Sequence, residues 1–213
     1  MNQINWSKPM QDYDYLWPGI AAALLAFLFP VYWLSEFLSG IDGLSQSVSH
    51  NIQTLSLSDA IFVVLALLTI YVYLSLRRIL NDQLNFKKVD ILIYLMIAVN
   101  IIFLSTIFFD IWTSIASDHS FRVVEPTLVT LAIAIGVGSL IVAGILDILL
   151  AIILLRSSTE LPLIWRVFAV LTLVQGVFEL SVIFHFVVII VFPASLMVLA
   201  AAFLRKPESV ELV

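Results

Sequence analysis

One aspartate stands inside a run of lipid-like residues. Asp147 is the single charge in Thr127–Leu155 (TLVTLAIAIGVGSLIVAGILDILLAIILL). Helix rise puts it about eight residues, or roughly 12 Å, from the inner end of that run. An aspartate near the centre of a span costs about 2.5–3.5 kcal/mol on insertion scales, so such groups face a bundle interior or wet cavity and take a partner. Two chemistries fit: a proton or cation site on a transport path, or a protonated or hydrogen-bonded carboxyl that links helices. Asn100, Gln175 and Arg166 are the candidate partners. Asn100 and Gln175 are themselves amides within apolar runs. They suit interhelical hydrogen bonds worth about 0.6–2 kcal/mol, or contact with a substrate.

His50, His119 and His185 form a second group. With Glu179 they could ligate zinc or another metal, since three histidines and a carboxylate make a known catalytic ligand set. The spacing argues against it. There is no HExxH and no histidine pair four apart, so convergence would depend on the fold alone. Arg77, Arg78, Lys87 and Lys88 form a third group, in the linker RRILNDQLNFKK. Each basic residue near an anionic leaflet contributes about 1 kcal/mol, so these four could contact lipid or an acidic partner as well as set topology. No cysteine is present, and no phosphate-binding loop or Ser-His-Asp order appears. Gly136 and Gly138 are a lone GxG in an apolar run. No cofactor is implied, and no basic block suggests nucleic acid.

The elements that must hold these residues are apolar helices. Of 213 residues 62% are hydrophobic and only 12% charged, where ordinary globular domains carry about 25% charged residues. The mean hydropathy is +1.11. Met1–Tyr15 is too polar for a signal peptide, so the first apolar run reads as a retained span. The runs predict an all-α polytopic transmembrane helical bundle, a single integral membrane domain over residues 1–213. About six spans are expected, near 16–38, 59–76, 89–112, 127–155, 163–180 and 182–204. Pro30 should kink its helix or end it early, Pro193 should bend the final helix, and Pro126 should open the fourth. The block Leu161–Leu204 would be about 66 Å long as one helix, so it should fold into a hairpin around Glu179–His185. In the fourth run Ala132/Gly136, Ala134/Gly138 and Ser139/Ala143 recur at the spacing that lets helices approach closely.

Charge orients the spans. With six, one side receives Lys8, Arg77, Arg78, Lys87, Lys88, Arg156, Arg166, Arg205 and Lys206, and the other Arg122 alone, out of ten Lys and Arg. The positive-inside bias then puts both termini in the cytoplasm, in a plasma (inner) membrane. Five spans would give seven against three. The expected role is a non-catalytic subunit, scaffold or regulator of a membrane assembly, in contact with the lipid bilayer and with other membrane subunits or a second copy. The alternatives are a small transporter or channel using Asp147, and a membrane enzyme with an outward His/Glu metal site.

Overall fold

The structure, a computed structural model, describes residues 15–39, 55–116, 118–157 and 161–205. Among them there are no strands. The α-helices are α1 Leu16–Ser39, α2 Leu57–Leu84, α3 Asp90–Leu104, α4 Ile107–Ile115, α5 Asp118–Arg156, α6 Leu163–Leu180 and α7 Val188–Leu204, with a 3-10 helix at Val182–Val187. Five stretches are long and apolar enough to cross a membrane: Leu16–Glu36, Leu57–Leu84, Asp90–Ile115, Phe121–Arg156 and Leu163–Leu180. α7 is a shorter apolar helix of 17 residues. Large apolar side chains such as Phe27, Ile91 and Ile115 point outward, as lipid contact requires.

The helices form a ring. α1 packs on α2, α2 on α3, α3 on α5, α5 on α6, α6 on α7, and α7 returns to α1. Neighbours alternate in direction. Tyr15 at the start of α1 stacks on Phe203 near the end of α7, 6.4 Å between centroids, while Phe29 meets Phe192 edge-on at 4.6 Å. The largest fully buried side chains, among them Leu76, Leu80, Ile93, Leu150, Leu154 and Leu199, all lie in the half of the ring nearer the basic residues. That half is solid. The opposite half is where the helices stand apart.

Several sequence-based boundaries move. α2 does not stop before Arg77 but carries both arginines on to Leu84. Charges mark a membrane edge, whereas a helix ends only where its backbone is capped. The cap is Asn85, the one described non-glycine residue with positive φ (48°), and the Phe86 N–H closes back on the Leu80 carbonyl at 2.8 Å. Asp90 then locks the α2–α3 turn by accepting from Asn81 Nδ2 at 2.9 Å and Arg77 Nη2 at 3.3 Å.

The expected third span is divided at Ser105 and Thr106. Their hydroxyls donate to the carbonyls of Ile102 (2.6 Å) and Phe103 (2.8 Å), drawing those oxygens from the helical ladder. Pro126 does not open α5, which already runs from Asp118. It sits inside the helix, as do Pro30 in α1 and Pro193 in α7, and none ends its helix. One boundary stays in place: the hairpin turn comes at Ser181 (φ −89°, ψ 87°), between the expected runs 163–180 and 182–204, so α6 holds Glu179 and a 3-10 helix leads into α7.

The small residues of α5 divide by face. At Gly144 and Gly176 two backbones touch: a Cβ on Gly176 would lie 2.7 Å from the Gly144 carbonyl oxygen, and one on Gly144 2.9 Å from that of Gly176. Gly136 and Gly138 make no such contact. A Cβ on Gly136 would meet only Phe103, at 3.9 Å, and one on Gly138 nothing within 4 Å. The close approach therefore lies at Gly144, one residue beyond the last expected pair, Ser139/Ala143.

Replacing Gly176 by Ala should cost about 1–3 kcal/mol through overpacking, read as a lower thermal midpoint in mild detergent. Gly138→Ala should leave that midpoint unchanged or raise it. Asn85→Val should destabilise by about 1–2 kcal/mol, because a branched side chain resists the left-handed backbone, whereas Asn85→Gly should be tolerated.

Candidate functional site

The Gly144–Gly176 contact brings the α5 and α6 axes close enough for a short side chain to bridge them. Asp147 lies three residues along α5 from Gly144. Gln175 and Glu179 are four apart on α6 and so share one face. The three side chains meet between the helices. Gln175 Nε2 donates to Asp147 Oδ2 at 2.7 Å and to Glu179 Oε1 at 2.9 Å. A primary amide has two N–H bonds, so each carboxyl takes one and the amide's donors are used up. All three are buried, with 2% (Asp147), 4% (Gln175) and 6% (Glu179) of their surface exposed.

The two carboxyl groups also bear directly on each other. A closely placed pair away from water is best neutralised by one shared proton or one bound cation, because two bare charges there repel. Two polar atoms remain open. Glu179 Oε2 is buried without a hydrogen-bond partner, and so is Asn100 Oδ1 on α3. Ser195 on α7 approaches Gln175 Oε1 at 3.4 Å, but its single proton is better placed on the Phe192 carbonyl at 2.8 Å. Buried polar atoms are nearly always paired, so two orphans beside one space call for an explanation.

That space is a cavity of about 410 Å³, reached by side chains from α1, α2, α3, α5, α6 and α7. Asp147, Gln175, Glu179, Asn100, Thr69 and Tyr73 supply its polar groups. Its walls are the rings of Phe29, Trp33, Phe62, Phe103 and Phe192 together with the small residues Ala132, Gly136, Ser139 and Ala143 of α5. These small residues thus leave room for the cavity. Its described lining contains no Lys, Arg or His.

Acidic groups surround the end away from the basic residues. Glu36, Asp59 and Asp110 all act electrostatically on Tyr32, which stacks on the cavity residue Phe62 at 6.3 Å. Ser58 donates to Glu36, and Asp59 caps α2 by accepting from the Ser56 N–H at 2.6 Å.

The candidate residues are thereby sorted. Of the three partners considered for Asp147, Gln175 makes the bond, Asn100 lines the same cavity, and Arg166 is exposed. Glu179 belongs to this group and not to an outward loop beside the histidines. The sequence keeps Glu179 within the run 163–180 but suggests a grouping with the outward histidines; its four-residue spacing from Gln175 is the signal for a shared helix face. His50 and the side chains of His119 and His185 lie outside the described residues. Among the described residues no three His, Cys, Asp or Glu are grouped to hold a metal ion.

At the basic end, Arg77 pairs with Asp90 and lies over Tyr94 at 4.8 Å. Arg78 pairs with Asp82 at 3.3 Å and lies over Tyr15 at 5.7 Å. Lys88 sits over Phe86 at 5.4 Å, and Lys87 is exposed. No protein-family model, curated protein or solved structure matches this chain, so its functional reading rests on the site geometry.

Gln175→Leu should remove the bridging donor and leave carboxyl oxygens of Asp147 and Glu179 unpaired. The expected loss is about 1–3 kcal/mol, seen as a lower unfolding temperature in detergent. Arg166→Ala, on an exposed position, should stay within about 0.5 kcal/mol of the parent.

Proposed function

We propose that the protein is a small membrane carrier or channel that receives a cation, or a solute bearing one, at the Asp147–Gln175–Glu179 group. The observation that carries this reading is the unpaired Glu179 oxygen at the polar floor of a cavity whose described lining has no positive charge. Intramembrane carboxylates facing a bundle interior commonly mark substrate and ion paths. Asp147 stands nine residues from Arg156, roughly 14 Å along the helix and so near mid-bilayer.

The packing supports an orientation. The solid half lies toward the basic end, which we place in the cytoplasm of the inner membrane by the positive-inside bias. The cavity then faces outward beneath Glu36, Asp59 and Asp110. Carboxylates at a mouth raise the local concentration of cations there. A scaffold or subunit acting only through its outer surface has no need of an orphaned carboxylate over an aromatic-walled space. The outward metal-enzyme reading has less support, because Glu179 is buried between α5 and α6 and not on an outward loop.

Charge movement on a solid-supported membrane, recorded as protons, inorganic monovalent cations or an organic ammonium ion are applied to proteoliposomes, tests the proposal. Wild type should give currents, and Asp147→Asn and Glu179→Gln should each lower them at least tenfold while eluting as monodisperse protein. Absence of current in wild type, or full current in both variants, would exclude carriage through this site.

A further inference from the structure

We infer that the solute is a hydrophobic organic amine: an ammonium or amidinium group with N–H donors, joined to an aromatic or aliphatic body. The inference rests on the carboxyl group pair being the solute site, as proposed above, and adds the chemistry of what enters it. Both orphaned atoms beside the cavity are acceptors, Glu179 Oε2 and Asn100 Oδ1. Glu179 is only 6% exposed, so its free oxygen has little access to bulk water. An inorganic cation would satisfy the carboxylate but has no use for five aromatic rings. A neutral apolar ligand or a lipid chain would fill the rings and leave both acceptors unpaired. An amine with an apolar body meets both demands.

The walls suit such a body. Phe29, Trp33, Phe62, Phe103 and Phe192 line one continuous space. Ring faces attract ammonium and guanidinium groups, and bury apolar carbon at little conformational cost. A cavity of about 410 Å³ lies within the range of roughly 300–1,000 Å³ that encloses small organic ligands. Charge selects the sign. No Lys, Arg or His appears in the described lining, while two carboxyl groups stand at its floor and three more gather about Tyr32 beyond its aromatic end. An anionic ligand would meet only repulsion there.

The test is equilibrium binding of a fluorescent amine to the full chain in lipid nanodiscs. Dansylcadaverine carries an aromatic body and a primary ammonium group. Its N-acetyl derivative keeps the body and loses the charge, and dansylglycine reverses the charge. The saturable fluorescence rise should appear with dansylcadaverine, weaken at least tenfold with the acetylated probe, and vanish with dansylglycine. Glu179→Gln should weaken dansylcadaverine binding at least tenfold. Should that variant fail to fold, the three probes on wild type decide by themselves.

Equal affinity for the charged and acetylated probes, or an unchanged affinity in folded Glu179→Gln, overturns the inference. Proton or inorganic-cation currents without selective amine binding also overturn it, and leave the carrier reading standing. Selective amine binding without any current upholds the amine assignment and removes the carrier reading.

Discussion

Two glycines in contact set the geometry of the site. Gly144 and Gly176 let α5 and α6 approach until backbone meets backbone, and only at that separation can Asp147 reach an amide on the facing helix. In lipid no water stands ready to solvate a stranded carboxyl, so the partner must come from the protein. Gln175 meets this need twice over. Its two donors serve Asp147 on the neighbouring helix and Glu179 one turn away. Spread the helices apart, and two carboxyl groups lose the one side chain that joins them.

The same contact divides the bundle along its length. Below it, toward the basic residues, large side chains from α1, α2, α3, α5 and α7 interlock without exposure. Above it, α5 offers alanine, glycine and serine, and the aromatic rings of α1, α2, α3 and α7 stand off around an open volume. Membrane helices gain little by excluding lipid from one another, so packing quality decides where they hold and where they part. Small residues serve both ends here. At Gly144 they remove distance between backbones, and at Gly136 they leave it unfilled.

How much of this was legible follows from what hydropathy measures. The apolar runs and the alternating direction of the spans could be read directly, because lipid permits few other structures. Asp147 stood out because it was the sole charge in its run, and Gln175 was among its named partners. The break at Ser181 falls where the runs 163–180 and 182–204 divide, although no Gly or Pro marks it. Glu179 is polar and close to that break, so hydropathy alone groups it with the outward histidines and not with the buried carboxyl of Asp147. α2 was cut short at Arg77 for a related reason, since charge reports the lipid boundary and not the backbone cap at Asn85. Pro126 looked like a helix start by its missing N–H, yet a proline inside a long helix removes one bond and the rest persist. The cavity had no sequence signal of its own. The same small residues could have meant tight packing on every face, and only the position of Phe103 against Gly136 separates the cases.

The 3-10 helix at Val182–Val187 bears on how far the apolar segment ending in α7 can reach. Seventeen α-helical residues extend only about 25 Å, short of a typical hydrocarbon core near 30 Å. A 3-10 helix rises about 2.0 Å per residue instead of 1.5, so six residues wound this way add about 12 Å along their own axis. Overwinding thus lengthens an otherwise stubby segment without adding residues.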